Sequence, residues 1–105
     1  WIVYNDQSTS SILYAKSGGD WKQIWKSNKN EYLAGIDFVN NYIGWSVGMD
    51  GLVKHTKDGG QNWHTQTNLS KENLVSVAFA NLREGFAVGS NGIILHTSDG
   101  GKIWN

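Results

Sequence analysis

The chain has 105 residues, the length of one small domain, and its nine basic and nine acidic side chains cancel. This balance, with Arg83 as the sole arginine, excludes the basic surface that a nucleic-acid-binding protein needs. The chain contains no cysteine for disulfides or thiolate metal sites, and no apolar run is long enough to span a membrane.

The predicted elements fall into units, because the chain repeats itself. Residues 33–64 align without a gap on residues 74–105, so that Leu33 recurs as Leu74, 41 positions later. The identical positions, numbered in the first of these copies, are Leu33, Phe38, Asn40, Gly44, Val47, Gly48, Gly51, His55, Thr56, Asp58, Gly59, Gly60 and Trp63. A period of about 40 to 50 residues is typical of repeat architectures, in which each unit buries its apolar face against a neighbour.

The first unit, residues 1–32, is a weaker and incomplete copy. Moving back by the same period aligns Ile12 with a strand of the second unit, and it aligns Ser17 and Gly19 with a glycine-rich turn. Trp1 is then expected in an earlier strand, if the loop between the two strands carries about three extra residues. We therefore predict three strands for this unit, equivalent to strands B, C and D below.

The second unit, residues 33–73, contains four predicted strands, which we name A to D. Their expected positions are 33–40 for A, 44–49 for B, 52–56 for C and residue 63 onward for D. The period-two positions of strand A are Ala34, Ile36 and Phe38. Asp50 and Gly51 predict a type I′ turn between strands B and C, because that turn requires two positive φ angles.

The third unit, residues 74–105, repeats this order and stops as strand D begins. The period-two positions of its strand A are Val75, Val77 and Phe79. Asn91 and Gly92 repeat the type I′ signal.

Short antiparallel strands, glycine-rich turns and the absence of a helix signal predict blades of a β-propeller. The predicted fold class is therefore all-β, with about two and a half four-stranded blades. These are a partial blade over residues 1–32, a complete blade over 33–73 and a partial blade over 74–105. Because propellers close with roughly four to eight blades, we expect further blades from a longer chain or from oligomerisation.

The turn between strands C and D carries the most specific motif, S/T-x-D-x-G-x-x-W. Its residues are Thr56, Asp58, Gly60 and Trp63 in the second unit, Thr97, Asp99, Gly101 and Trp104 in the third, and Ser17 and Gly19 in a degenerate first copy. We expect a structural role for this turn. The carboxylate is expected to accept backbone N–H groups two residues on, glycine to supply positive φ angles, and tryptophan to cover the turn.

This motif resembles the Asp-box of BNR-repeat β-propellers. The longer pattern F-x-N-x-x-x-G-W-x-V-G-x-x-G-x-x-x-x-T-x-D-G-G-x-x-W fits Phe38–Trp63, and it fits Phe79–Trp104 with Phe86 in place of tryptophan. The pattern is most similar to the photosystem II stability/assembly-factor-like family. That resemblance implies a non-enzymatic, extracytoplasmic propeller of about seven blades that binds other proteins during assembly. The arginine-rich surface patch of the photosynthetic members has no equivalent in this sequence, because Arg83 is its sole arginine.

Few chemistry-bearing residues lie outside the motif. His55 and His96 occupy equivalent positions on separate blades, so they are not expected to share a metal ion. Asp37 is the one inner-strand carboxylate that the repeat does not explain, and it is interpreted either as a ligand contact or as a hydrogen-bonded residue of the central channel. Trp21 and Trp25 lie among lysines and are candidates for stacking on a ligand. We expect no catalytic residue, metal or cofactor.

We predict that the chain is a non-catalytic scaffold for protein recognition, located outside the cytoplasm. Its binding face is expected on one rim, and the Asp-box turns on the opposite side. The rim comprises the D–A loops, Asn28–Glu31 and Asn68–Asn73, and the B–C turns, Met49–Gly51 and Ser90–Gly92. The alternative is part of a carbohydrate-active propeller, a glycoside hydrolase or a lectin, whose decisive residues lie on other blades. Nucleic acid is not an expected partner.

Overall fold

A computed structural model describes residues 1–6, 8–15, 19–28, 31–66 and 70–105. In these ranges the chain forms three antiparallel sheets. Their strands are β1 (Ile2–Asn5), β2 (Ser10–Tyr14), β3 (Lys22–Lys26), β4 (Leu33–Phe38), β5 (Gly44–Gly48), β6 (Val53–Thr56), β7 (His64–Gln66), β8 (Leu74–Phe79), β9 (Gly85–Gly89) and β10 (Ile94–Thr97). No helix in the described ranges is long and apolar enough to cross a membrane.

The sheets confirm the all-β, blade-like fold class. The strand orders are β1-β2-β3, β4-β5-β6-β7 and β10-β9-β8. Within each sheet, strands that follow one another in the chain are hydrogen-bonded neighbours. In the third sheet the backbone groups of Asn105 and His96 exchange two hydrogen bonds of 2.9 and 2.8 Å, which is the start of strand D. The three sheets lie within the three predicted units, and the division of the chain at residues 32 and 73 stays a prediction.

The B–C turns have the predicted backbone. Asp50 and Gly51 have φ angles of 59° and 73°, and Asn91 and Gly92 have φ angles of 58° and 73°. Asp, Asn and Gly tolerate this left-handed region better than other residues do.

A β-bulge changes which residues of strand A face the core. The pairing register shifts between Leu74 and Ser76 in β8, and β4 has the same irregularity at the equivalent place. Leu74 is therefore buried together with Val77, whereas Val75 and Ala34 are exposed. The strict period-two prediction is wrong at the start of strand A, because a bulge inserts one extra residue and reverses the alternation.

Apolar clusters fill the two junctions between consecutive sheets, where β8 packs on β4 and β5 and where β1 contacts β4. The buried residues of the first junction are Ile12, Leu33 and Trp63. Those of the second junction are Trp45, Val47, Val53, Leu74, Val77, Ala87, Leu95 and Trp104. Each cluster combines side chains of two sheets, so a blade buries its apolar face only against its neighbour.

The third sheet leaves the equivalent face open. Phe86, Val88 and Ile94 are 52%, 39% and 65% exposed. Their equivalents in the second sheet, all buried beneath the third, are Trp45, Val47 and Val53. The exposed face thus has the composition of a blade-to-blade contact.

An aromatic clamp holds the second junction. Trp45 of β5 stacks on Phe79 of the next sheet, with ring centroids 3.5 Å apart and planes at 5°. The indole Nε1–H of Trp45 donates to the carbonyl oxygen of Gly100 at 3.0 Å. Trp104 packs edge-on against Phe79 at 5.7 Å. One phenyl ring is therefore held by the preceding blade on its face and by its own blade on its edge.

The first junction has the same clamp. Trp1 stacks on Phe38 with centroids 3.7 Å apart, and its Nε1–H donates to the carbonyl oxygen of Gly59 at 2.9 Å. Trp63 packs edge-on against Phe38 at 5.9 Å. Trp1 therefore occupies the strand B position that Trp45 occupies in the second sheet.

A repeated glycine makes room for each clamped ring. A Cβ atom at Gly44 would lie 2.7 Å from the ring of Phe38, and one at Gly85 would lie 2.6 Å from the ring of Phe79. Both distances are shorter than a carbon–carbon contact allows. The phenyl ring can lie flat against strand B only because that position has no side chain.

We predict that Gly44→Ala lowers the free energy of unfolding by about 1–3 kcal/mol, because the new methyl group forces Phe38 out of the clamp. Urea unfolding of the wild type and the variant measures this loss. The same substitution in a Phe38→Ala background should cost less than about 1 kcal/mol, since the clash is gone. An equal cost in both backgrounds would contradict the assignment.

Candidate protein-interaction site

Side-chain hydrogen bonds close the Asp-box turn of the second unit. Asp58 Oδ1 accepts from Thr56 Oγ1 and from the backbone N–H of Asn62, both at 2.9 Å. The N–H of Gly60 donates to Thr56 Oγ1 at 3.0 Å, and Trp63 Nε1–H donates to the carbonyl oxygen of Gly60 at 2.7 Å. The prediction that the carboxylate accepts the N–H of the residue two positions on is wrong. The Asp58 carboxylate instead reaches across the turn to the N–H of Asn62, four positions on.

The third unit repeats this arrangement. Thr97 Oγ1 donates to Asp99 Oδ1 at 2.8 Å, the N–H of Ile103 donates to the same oxygen at 3.0 Å, and the N–H of Gly101 donates to Thr97 Oγ1 at 2.9 Å. Trp104 is buried beside the turn, but unlike that of Trp63 its Nε1–H has no hydrogen-bond partner in the described part of the chain. Positive φ angles occur, as predicted, at Gly59, Gly60, Gly100 and Gly101.

The degenerate first copy is only partly visible. Ser17 lies outside the described residues. Gly19 is exposed, and its role in an Asp-box turn stays a prediction.

Both Asp-box carboxylates are held in the ionised form. The backbone N–H of Asn62, followed by its side-chain amide, lowers the pKa of Asp58 to about 2. The backbone N–H of Ile103 and the hydroxyl of Thr97 lower the pKa of Asp99. Hydrogen bonds to a charged carboxylate favour that form over the protonated one. The turns therefore carry fixed negative charge at neutral pH.

Asp37 connects two blades. Its Oδ2 accepts the backbone N–H of Phe79 at 2.8 Å, which joins β4 to β8, the innermost strands of consecutive sheets. The third unit has Ala78 at the same position. The hydrogen-bonded interpretation of Asp37 thus has a defined partner, and a further contact with a ligand stays a prediction.

The two tryptophans proposed as ligand contacts differ in their surroundings. Trp25 is partly buried, with its ring centroid 6.3 Å from that of Trp63. Lys54 Nζ lies 5.4 Å from the Trp25 ring centroid. Trp21 is 53% exposed and is the more accessible of the two. Ligand binding by either residue stays a prediction.

The two histidines are not brought together. The His55 ring lies 5.0 Å from the Trp45 ring, and burial, assisted by the charge of Lys57, lowers the pKa of His55. His96 Nε2 lies 2.9 Å from Glu84 Oε2 on the open face of the third sheet. Across the ranges that the structure describes, no group of histidine, aspartate and glutamate side chains could hold a metal ion.

The described ends of the D–A segments meet the B–C turns at one rim; residues 29–30 and 67–69 of the predicted D–A loops lie outside the described residues. The N–H of Met49 donates to the carbonyl oxygen of Tyr32 at 3.0 Å, and the N–H of Ser90 donates to that of Asn73 at 2.9 Å. Asn73, which directly precedes β8, also contacts the B–C turn of the second sheet, because its Oδ1 accepts the N–H of Asp50 at 2.9 Å. This rim is therefore fixed by backbone hydrogen bonds while its side chains remain accessible.

The Asp-box turns lie on the other side, beside the A–B loops. The N–H of Gly59 donates to the carbonyl oxygen of Tyr42 at 2.9 Å, and the N–H of Gly100 donates to that of Arg83 at 3.0 Å. The molecule therefore has two distinct surfaces, the rim of B–C turns and the Asp-box side.

The fold and these turns define the chain as an Asp-box β-propeller segment. It belongs to the family described as photosynthesis system II assembly factor YCF48, whose model matches residues 13–105.

The solved structures that are similar to the chain include two structures of YCF48. One, described as YCF48 bound to D1 peptide, is 37% identical with a TM-score of 0.64, and the match covers 70% of this chain and 25% of that one. The other, YCF48 from Cyanidioschyzon merolae, is 35% identical with a TM-score of 0.60, and the match covers 70% and 22%. The matched region thus spans about a quarter of each relative. No curated protein matches the chain.

We predict that Asp37→Ala destabilises the chain by about 1.5–3 kcal/mol, because the N–H of Phe79 loses a charged acceptor. Asp37→Asn keeps an acceptor oxygen and should cost about 1 kcal/mol or less. Urea unfolding compares the two variants. Equal losses for alanine and asparagine would argue against the hydrogen bond as the source of the effect.

Proposed function

We propose that the chain is part of a non-catalytic propeller that recognises a protein partner, and that it presents the rim of B–C turns to that partner. The observation that carries this proposal is the similarity to a YCF48 structure with a bound D1 peptide, at 37% identity over 70% of this chain. The family also supports a location outside the cytoplasm, which we include in the proposal.

The geometry of the rim supports this role. Backbone hydrogen bonds fix the turns that contain Met49 and Ser90, so little conformational entropy is lost when a partner binds. Met49, Asp50 and Asn91 are exposed at the turn tips. They offer an apolar contact and hydrogen-bonding groups to an extended polypeptide.

The Asp-box carboxylates support a structural role more than a catalytic one. Asp58 and Asp99 are committed to hydrogen bonds within their turns, and their lowered pKa values make them poor general acids. The exposed ring of Trp21 favours carbohydrate binding as the alternative function.

The test measures binding of a D1 peptide by fluorescence anisotropy. The double variant Met49→Ser, Asp50→Asn replaces the rim turn of the second unit by the residues of the third. We expect it to weaken binding about fivefold or more, because contacts at an interface centre contribute the most. The matched control is Ile103→Asn, which replaces an exposed Asp-box residue of the third unit by that of the second and should leave affinity unchanged.

Two outcomes would contradict the proposal. The first is the absence of peptide binding together with saturable binding on a glycan array that Trp21→Ala removes. The second is peptide binding that Ile103→Asn weakens while the rim variant does not.

A further inference from the structure

A groove of about 250 Å³ lies at the first junction on the Asp-box side, opposite the rim of B–C turns. We name it the first-junction groove. Among the residues that line it are Trp1, Tyr14, Asn41, Tyr42, Asp58 and Gln61. Sites for drug-sized ligands have volumes of roughly 300–1,000 Å³, so this groove suits a single amino-acid side chain.

Aromatic rings form much of its wall. The ring centroids of Trp1 and Tyr14 lie 4.9 Å apart at an angle of 44°. Stacking on Phe38 holds Trp1 in place. Tyr42 is 65% exposed, so its ring is accessible at the edge of the groove. Aromatic faces in this arrangement attract cations.

The groove also contains a carboxylate, and no side chain of the lining residues that the structure describes is cationic. Among the side chains of the described lining residues, that of Asp58 alone is charged, and its hydrogen-bond partners Thr56 and Asn62 are neutral. Oδ1 accepts two hydrogen bonds, and Oδ2 accepts one, from Asn62 Nδ2. Because a carboxylate has about four acceptor positions, Oδ2 can accept a further donor. The adjacent Lys57 is not among the described residues that line the groove.

The second junction provides an internal comparison. It has the same clamp tryptophan and the same Asp-box carboxylate, Asp99. Arg83 stands there in place of Tyr42, however, and Lys102 stands in place of Gln61. The charge of Lys102 contributes to the lowered pKa of Asp99. The second junction therefore supplies its own cationic side chains, whereas the described lining of the first-junction groove contains none.

We propose that the first-junction groove binds the side chain of a lysine or arginine from a protein partner. The cation would lie against the aromatic rings and donate a hydrogen bond to Asp58 Oδ2, an interaction strengthened by opposite charge. A sugar would also stack on these rings but would leave the carboxylate charge uncompensated. This site is separate from the rim of B–C turns, so it stands or falls independently of the proposed function.

The test uses protein labelled with ¹⁵N-tryptophan and three probes: N-acetyl-lysine amide, N-acetyl-arginine amide and the neutral N-acetyl-glutamine amide. NMR follows the indole N–H signals of Trp1 and Trp45 up to about 50 mM probe, which covers the weak affinity of a single side chain. We expect the two cationic amides to shift the Trp1 signal saturably, while the glutamine amide does not and the Trp45 signal stays constant.

Two variants introduce into the first-junction groove the cationic residues that stand at the equivalent positions of the second junction. Tyr42→Arg should lower the affinity of the cationic amides at least about twofold, because it removes one exposed cation–π contact and adds a like charge. Gln61→Lys should weaken it about tenfold, by pairing Asp58 internally. Lys102→Gln is the control at the second junction and should not alter the Trp1 response. The Trp63 indole signal shows in the same spectra that each variant is folded.

Three results would overturn the proposal. One is the absence of a saturable Trp1 shift with either cationic amide. Another is an equal shift of Trp1 and Trp45, which indicates non-specific attraction. The third is a saturable Trp1 shift with methyl glucoside but not with the cationic amides, which would assign the groove to carbohydrate.

Discussion

The stacking of an indole from strand B on a phenyl ring of the next sheet is the contact on which the rest of the structure depends. It joins elements that are distant in sequence, because Trp45 reaches Phe79 by stacking and Gly100 by a hydrogen bond. The same indole therefore holds the next blade's inner strand and its Asp-box turn together. The Asp-box turn also contacts this phenyl ring, because its own tryptophan, Trp104, packs on the edge of Phe79. Each blade is thus completed by the one before it.

The residues that hold the blades together are different from the exposed residues that are available to a partner. Both junctions have the same clamp, and both Asp-box turns share the hydrogen bonds of the aspartate and the threonine. Exposed positions next to them differ, such as Tyr42 against Arg83 and Gln61 against Lys102. A rigid repeat can change these positions at little cost to stability, because their side chains contribute little to the buried core. Function in such a fold resides in the surface that each junction presents.

Much of this architecture could be predicted from the sequence, because the period of 41, the turn glycines and the Asp-box motif are local signals. Two features could not. The bulge in strand A depends on how Leu74 packs against the neighbouring sheet, which alternation alone does not encode. The clamp depends on contacts across 55 residues of sequence, and the longer first loop displaced Trp1 from the alignment. The sequence does not predict the first-junction groove for the same reason, since the residues that line it come from separate units.

The most direct test of the clamp is a double-mutant cycle on Trp45 and Phe79, with each residue changed to leucine and unfolding free energies measured in urea. Stacking that couples the blades predicts an interaction energy of about 0.5–1.5 kcal/mol. The pair Trp21 and Phe79 serves as the reference, and its effects should be additive because Trp21 belongs to neither apolar cluster. Additive effects for Trp45 and Phe79 as well would contradict the account.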